Sequence, residues 1–137
     1  MTIRDVVASR EVLLTYADTD AAGILYYAAW FPWMERMGVE WLLDNGFRYD
    51  TMLAEHGAGA VTRATTCEYL SQVTIYDRVR IDMFVDLVGD RSYRLGFTMT
   101  RVSDGVVVAR STMSLVVIDS EGKPASIPPA LLTLLTA

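Results

Sequence analysis

The feature that most constrains this chain is one apolar stretch, residues 16–46 of 137, with the sequence YADTDAAGILYYAAWFPWMERMGVEWLLDNG. Four of its large side chains recur at the spacing of a single helix face: Trp30, Met34, Met37 and Trp41. The stretch ends at Asn45-Gly46, a typical helix terminus. Because this segment carries few charges, most of its circumference needs a cover, and the remainder of the chain must supply it.

The apolar periodicity predicts a helix over residues 27–44, with a proline near its beginning. A proline beyond the first turn removes one backbone hydrogen bond and crowds the preceding turn. Pro32 therefore leaves two alternatives. Either the helix begins late, near Ala29, or its first turns are kinked.

Five segments have the composition of β-strands: residues 11–16, 58–70, 78–88, 92–101 and 106–119. Residues 1–8 have no clear pattern and are predicted as a loose start, and residues 128–135 as a short last helix. The turns after the third and fourth strands are short, so those strands are antiparallel neighbours. The sequence predicts one α+β domain over residues 1–137, an antiparallel sheet of about five strands wrapped around one long central helix.

Composition argues against several kinds of partner. The net charge of −5 and the pI near 4.7 disfavour nucleic acid and anionic membrane surfaces. No uncharged apolar run reaches the roughly 20 residues of a membrane-spanning helix, and the charged N-terminal segment lacks a signal-peptide core. Cys67 is the single cysteine, so no intramolecular disulfide can form. A cytoplasmic protein is the expectation.

Two acids, Asp18 and Asp20, precede the helix in the small-residue loop DTDAAG, and each has a structural and a chemical interpretation. Asp is common as a cap or turn residue at such positions. For Asp20 the chemical interpretation is favoured, because the small residues that follow let a ligand approach the backbone. A helix N-terminus also offers unpaired N–H groups to an oxyanion. A carboxylate beside an oxyanion site is the minimal set of groups for acyl transfer.

This stretch resembles the signature of the hotdog-fold thioesterases of the 4-hydroxybenzoyl-CoA thioesterase type. That signature has an aromatic residue, Asp-x-Asp-x-x-Gly, an apolar pair, two aromatic or histidine positions, and an aromatic helix with an acid. The matching residues are Tyr16, Asp18, Asp20, Gly23, Ile24-Leu25, Tyr26-Tyr27, Trp33 and Glu35. The segments CEYLSQVTIYDRVRI, GDRSYRLGF and EGKPASIPPAL resemble later parts of the same family, so the resemblance covers most of the chain.

The resemblance implies a hotdog fold and a role for each matching position. Asp20 corresponds to the carboxylate that attacks the thioester carbonyl or activates water. The backbone N–H of Tyr27 corresponds to the oxyanion donor, and Gly23 to the glycine that keeps the loop open. Arg91 and Ser92 fall where the family has basic and hydroxyl residues near the CoA phosphates.

For the other candidate site residues, a structural interpretation stands as an alternative to a role in binding or catalysis. Glu35 is either part of a solvated helix face or an acid that faces the acyl pocket and contacts the substrate. Arg91 and Arg94 are either strand-edge charges or phosphate ligands. His56, the only histidine, is predicted as an exposed loop residue without a catalytic role. Cys67 is predicted as a small buried residue without metal-binding partners.

The predicted function is that of an acyl-CoA thioesterase, which hydrolyses an aromatic or medium-chain thioester to a free acid and CoA without metal or organic cofactor. One alternative is a hotdog dehydratase or hydratase, which is disfavoured because the only histidine lies outside the motif. Another is a non-catalytic acyl-CoA-binding module. The resemblance also implies a homodimer, or a homotetramer built as a dimer of dimers, with the sites at the subunit interface.

Overall fold

A computed structural model describes residues 4–137 of the chain. The elements in chain order are β1 (Val6–Leu13), α1 (Trp30–Asp44), α2 (Met52–His56), β2 (Gly59–Tyr69), β3 (Arg78–Val88), β4 (Ser92–Arg101), β5 (Val107–Ile118) and α3 (Pro129–Leu135). A 3-10 turn over Tyr16–Asp18 follows β1. The strands form one antiparallel sheet in the order β1-β3-β4-β5-β2. The predicted α+β architecture with five strands is confirmed.

Strand β1 differs most from the sequence prediction. It begins at Val6 and ends at Leu13, whereas the pattern predicted a strand over residues 11–16 and a loose start before it. β1 is an edge strand that pairs only with β3, so most of its residues remain accessible and its alternation is weak. Residues 1–3 of the predicted start lie outside the described residues. The bounds of β3 and β4 are as predicted, and those of β2 and β5 differ by one residue at each end.

Helix α1 begins at Trp30, three residues later than predicted, which selects the late-starting alternative. Pro32 is therefore the third helical residue. The first four N–H groups of a helix have no intrahelical acceptor, so a proline there removes no helical hydrogen bond. Residues 27–29 form a turn instead of helix.

One face of α1 packs into the core, as the apolar periodicity predicted. Its buried residues are Trp30, Met34, Met37, Gly38, Trp41 and Leu42. Gly38 permits a close approach to the sheet, because a Cβ at this position would lie 3.3 Å from Leu95 Cδ1. The same core cluster contains inward-facing strand residues, among them Val79, Ile81, Met83, Phe97 and Met99. The sheet therefore supplies much of the cover that this helix requires.

Each pair of neighbouring strands has a register shift or bulge. An extra residue on one strand bends that strand and increases its twist, which helps the sheet curl around α1. In β3 the shift lies between Val85 and Leu87. It leaves Leu87 opposite Arg94 and 55% exposed, although uninterrupted alternation from the buried residues Ile81 and Met83 would turn Leu87 inward.

Candidate active site

The loop before α1 closes tightly around Asp20. The Asp20 N–H donates to the Ile24 carbonyl, and the Gly23 N–H donates to the Asp20 carbonyl, each at 3.0 Å. Gly23 has a φ of +78°, a left-handed conformation that glycine adopts at little cost. The small residues of TDAAG therefore allow a compact turn that fixes the Asp20 backbone.

Backbone hydrogen bonds anchor this loop to the connection between β2 and β3. The Leu25 N–H donates to the Val73 carbonyl at 2.9 Å. Ile24 also forms an isolated antiparallel bridge with Thr74. These contacts fix the position of the loop relative to the sheet.

The two acids of the loop have different partners. Asp18 Oδ2 accepts a hydrogen bond from the Thr15 N–H at 2.9 Å, so Asp18 is the acid of a capping box that caps the 3-10 turn, with Thr15 as the N-cap residue. Asp20 Oδ1 accepts one from the Ala22 N–H at 2.8 Å. Within residues 4–137 no protein group donates to Asp20 Oδ2, and Asp20 is exposed. Asp18 is therefore occupied structurally, while Asp20 keeps one carboxylate oxygen free.

A cleft of about 410 Å³, called here the loop cleft, lies beside Asp20. Its lining residues are Asp20, Ile24, Leu25, Tyr27, Trp30, Tyr69, Leu70, Ser71, Gln72, Val73 and Val108. The Trp30 side chain is 1% exposed, and its indole Nε1 has no hydrogen-bond partner among the described residues. A largely apolar cleft with a few polar groups is the usual form of a small-molecule site.

Tyr27 lies in the turn immediately before α1, and its backbone carbonyl accepts a hydrogen bond that holds the residue in place. The Tyr69 hydroxyl, at the end of β2, donates to the Tyr27 carbonyl. Burial, together with a hydrogen bond to Cys67, raises the pKa of Tyr69 to about 12, so this phenol remains a donor at neutral pH. Among residues 4–137 no carbonyl accepts the Tyr27 N–H. The N–H is therefore free for a ligand.

Arg91 and Ser92 lie far from the loop cleft within one chain. Ser92 pairs with Val116 of β5, whereas the cleft contains Val108 of the same strand. These two β5 residues are eight positions apart, which corresponds to about 26 Å along a strand. Their predicted contact with the CoA phosphates therefore requires an extended coenzyme or a second subunit, and it stays a prediction.

A second space, called here the helix cavity, lies beside the middle of α1 and has a volume of about 240 Å³. Its lining residues are Glu35, Gly38, Val39, Trp41, Leu42, Tyr49, Thr62, Tyr93, Leu95, Met113 and Leu115. Glu35 is exposed and borders this cavity instead of the loop cleft. It lies about 140° around the helix from Trp30, which explains the separation. Its predicted contact with substrate stays a prediction.

Several residues of the loop cleft were missed by the sequence analysis. Tyr69, Ser71 and Gln72 come from the end of β2 and the connection that follows it. No motif or spacing links them to Asp20, because strand pairing and the anchored loop bring the segments together. Trp30 was predicted as a core residue, with the alternative left open that some Trp and Met positions line an acyl pocket, and its periodicity did not identify it as the one that borders this cleft.

The remaining sequence candidates line neither space. His56 ends α2 and is partly buried against Phe47, with the two ring centroids 5.2 Å apart. Cys67 is partly exposed on β2.

In the part of the chain that the structure describes, no three His, Cys, Asp or Glu side chains are placed to hold a metal ion. The same residues include no helix that is long and apolar enough to cross a bilayer.

The sequence profile of the Thioesterase-like superfamily matches residues 14–135, and the chain belongs to this family. The predicted resemblance to hotdog thioesterases is confirmed. Among curated relatives, the acyl-CoA thioester hydrolase YbgC of Escherichia coli O6:H1 is 28% identical over 122 residues. That match covers 88% of this chain and 89% of the relative.

Solved structures confirm the predicted hotdog fold. Slr0204, a 1,4-dihydroxy-2-naphthoyl-CoA thioesterase from Synechocystis, matches with a TM-score of 0.82 at 16% identity, over 93% of this chain and 94% of its own. SAV2348 from Staphylococcus aureus, determined in complex with CoA, matches with a TM-score of 0.84 at 13% identity. This match covers 99% of this chain and 85% of the other. At such identities the likeness concerns the fold alone.

Proposed function

We propose that this protein hydrolyses acyl-CoA thioesters to a free carboxylic acid and CoA, with Asp20 as the catalytic carboxylate. The observation that carries this proposal is the composition of the loop cleft. A carboxylate with one free oxygen and a tyrosine with an unpaired backbone N–H line the same apolar space. The activity in the name of the YbgC relative supports the reaction, and the CoA bound to SAV2348 supports the coenzyme.

Thioester hydrolysis needs a group that attacks or activates water, and a donor for the developing negative charge. In one route Asp20 attacks the thioester carbon, releases CoA thiolate and forms an anhydride that water then cleaves. In the other route water attacks that carbon, Asp20 takes its proton, and the proton passes to the departing CoA sulfur. Both routes place negative charge on the carbonyl oxygen, where the Tyr27 N–H stabilises it.

The substrate class we propose is an aromatic or medium-chain acyl group. The cleft wall is mainly apolar or aromatic, with Trp30, Tyr27 and Tyr69 among its residues, and Asp20 is its one charged side chain. Such a surface suits an uncharged, apolar acyl group better than a charged one. The aromatic substrate in the name of Slr0204 agrees with this class.

Free-thiol release from a panel of CoA thioesters tests the proposed function. The panel contains short, medium and long aliphatic acyl groups and aromatic acyl groups. Wild type is expected to turn over at least one class, and Asp20→Asn to lose that turnover. Acyl-CoA binding without thiol release from any thioester would instead favour the binding module. A change in the acyl chain without thiol release would favour a dehydratase or hydratase.

Tyr69→Phe is expected to lower kcat by about tenfold and to change KM less than about twofold. The variant removes the hydroxyl that donates to the Tyr27 carbonyl, so the oxyanion donor is held less firmly. Tyr76→Phe is the matched control, because Tyr76 is 71% exposed and lines neither space. If the two variants had equal kcat values, the proposal that Tyr69 positions the oxyanion donor would be contradicted.

A homodimer formed through the edges of two β2 strands is proposed as the working assembly. β2 has 11 residues and pairs only with β5, so one edge carries unpaired backbone groups. Residues 61–66 of this strand are all exposed. Unprotected edges of this length favour pairing with another strand, and a twofold axis places the same edge on both subunits. The other edge strand, β1, is shorter, with 8 residues.

Val61→Lys is expected to shift the dimer toward monomer in sedimentation velocity at micromolar concentration. Val61 is 44% exposed on β2, and a twofold interface would bring two added lysines together. Val6→Lys places the same charge on the β1 edge, where Val6 is 53% exposed, and is expected to leave the assembly unchanged. A monomeric wild type, or dissociation by Val6→Lys alone, would contradict pairing through β2.

A further inference from the structure

The connection between β2 and β3 brings a neutral polar residue, Gln72, to the wall of the loop cleft. Gln72 is exposed, and its only hydrogen bond among residues 4–137 uses the backbone carbonyl, which accepts from Arg101 Nη1 at 2.7 Å. The side-chain amide therefore has no protein partner in the described chain and remains accessible to a ligand. An exposed amide is often only solvated, so the surroundings of Gln72 decide between solvation and binding.

The backbone that carries the Gln72 side chain is fixed at several points. The Leu70 and Ser71 N–H groups both donate to the Val108 carbonyl, at 2.8 and 3.2 Å. The hydrogen bond from Arg101 then fixes the Gln72 carbonyl. A side chain on a fixed backbone loses less freedom when it binds a ligand than one on a mobile loop. The connection therefore presents the Gln72 amide from a defined position.

Arg101 is itself oriented by an acid. Its Nε and Nη2 atoms donate to Asp104 Oδ2 at 3.0 and 2.8 Å. The hydrogen bond to Asp104 raises the pKa of Arg101, so the guanidinium keeps its charge. Because the guanidinium is planar and its donors point in fixed directions, this pair directs Nη1 toward the Gln72 carbonyl. Asp104 also balances the positive charge of Arg101, which therefore does not make this connection a site for anions.

Gln72 lies between two contacts that the connection makes with the loop before α1. On one side the Tyr69 hydroxyl, at the end of β2, donates to the Tyr27 carbonyl. On the other side the Val73 carbonyl accepts the Leu25 N–H at 2.9 Å. A thioester whose carbonyl oxygen binds the Tyr27 N–H therefore enters a cleft whose wall includes Gln72.

The charge of the loop cleft limits what Gln72 can bind. Within residues 4–137 its lining contains no Arg or Lys, and Asp20 is the one charged side chain, so a phosphate or carboxylate is disfavoured. The Gln side chain offers a carbonyl oxygen as acceptor and an NH2 group as donor. An amide in the ligand offers the complementary donor and acceptor. A neutral amide is therefore the ligand group that matches Gln72 best.

We propose that Gln72 binds the amide nearest to the thioester sulfur in the pantetheine arm of CoA. In that arm two methylene groups separate the sulfur from the amide nitrogen, so the amide reaches the same cleft as the reacting carbonyl. This inference rests on the proposed thioesterase function, in which the Tyr27 N–H holds the carbonyl oxygen. Gln72 then recognises a part that all acyl-CoA substrates share, and the apolar lining is left for the acyl group, in which they differ.

The side-chain NMR signals of Gln72 give a direct test, because Gln72 is the only glutamine in the chain. The probe is S-(2-oxooctyl)-CoA, a thioether that carries a carbonyl and cannot be hydrolysed. It is expected to shift both the Gln72 NH2 signals and the Tyr27 backbone N–H signal. A shifted Tyr27 signal with unmoved Gln72 signals would overturn the inference and leave the proposed function standing. Shifts at neither residue would overturn the coenzyme site together with the inference.

Turnover of two small thioesters that share one acyl group tests the same contact. The acyl group has no amide. One thiol part is N-acetylcysteamine, which carries the amide of the pantetheine arm, and the other is a pentyl chain of similar length without it. Gln72→Met nearly keeps the length of the side chain and removes its hydrogen-bonding groups. It is expected to lower kcat/KM for the N-acetylcysteamine thioester by about tenfold and to change that for the pentyl thioester less than about twofold.

Each variant is compared with wild type on the same thioester, which cancels the different intrinsic reactivities of the two compounds. Ser120→Met is the matched control, because Ser120 is exposed in the turn after β5 and lines neither space. It is expected to leave both kcat/KM values unchanged, and both variants are expected to keep the Tm of wild type. An equal response of the two thioesters to Gln72→Met, or no response of either, would contradict the inference. If wild type hydrolysed neither thioester, the proposed function would fail, and the NMR titration alone would decide whether Gln72 contacts the CoA arm.

Discussion

Asp20→Asn is expected to lower kcat/KM for the best CoA thioester by about 10²–10⁴-fold. The amide has nearly the same shape as the carboxylate, and its oxygen still accepts the Ala22 N–H that Asp20 Oδ1 accepts in wild type. It lacks the negative charge that either nucleophilic attack or proton removal requires. The fold and the loop are therefore retained while the chemical step is lost, and acyl-CoA binding should remain measurable.

Asp18→Asn is the matched control for this experiment. Asp18 lies two residues earlier in the same loop, and its carboxylate caps the 3-10 turn by accepting the Thr15 N–H. The side-chain oxygen of Asn can accept the same Thr15 N–H, so the turn is retained and turnover is expected to change less than about threefold. Equal losses of turnover in both variants would mean that activity depends on the combined negative charge of the loop and not on Asp20 in particular. Full activity in Asp20→Asn would exclude the proposed carboxylate mechanism.

Met34→Ala is expected to lower the free energy of unfolding by about 2–5 kcal/mol. Met34 is 0% exposed on the core face of α1, so its truncation leaves a cavity between the helix and the sheet. Domains of this kind have a total stability of about 5–15 kcal/mol, so the change is a large fraction of the whole. Urea denaturation at fixed protein concentration measures it, since subunit association also affects apparent stability.

Leu43→Ala on the same helix provides the comparison for Met34→Ala. Leu43 is 56% exposed, so its truncation leaves no internal cavity and is expected to change stability by less than about 0.5 kcal/mol. Similar losses in the two variants would mean that the exposed side of α1 is covered in the working protein. That result would point to an interface along the helix in addition to the β2 edge.

The central helix shows how far periodicity alone leads. Trp30, Met34, Met37 and Trp41 were predicted to share one face, and all four are buried. Their spacing is a local property of the chain, so it is visible in the sequence. The beginning of the helix was not determined in this way. Pro32 is compatible with a late start or with a kink, and the turn over residues 27–29 decides between them.

The candidate site also has one part that the sequence predicts and one part that depends on the tertiary structure. Asp20, Gly23 and Tyr27 belong to one continuous motif, and the structure places Asp20 and Tyr27 at a common cleft. The far wall comes from Tyr69 and its neighbours, which reach the cleft through strand pairing. Arg91 and Ser92 were predicted to lie near the CoA phosphates; register places Ser92 beside Val116, at the other end of β5 from Val108, and their contact with the coenzyme stays a prediction. The resemblance predicts which residues take part in the site. The structure of one subunit gives the distances within that subunit, but not those to residues of a second subunit.

The α+β architecture, the buried face of α1 and the catalytic candidate Asp20 could all be predicted from the sequence, because periodicity, turn residues and a contiguous motif are all local in the chain. Only the tertiary structure separated the capping role of Asp18 from the free oxygen of Asp20. It alone placed Gln72 at the same cleft as Asp20. Hydrogen-bond satisfaction depends on which distant segments meet, and no local pattern of residues records that.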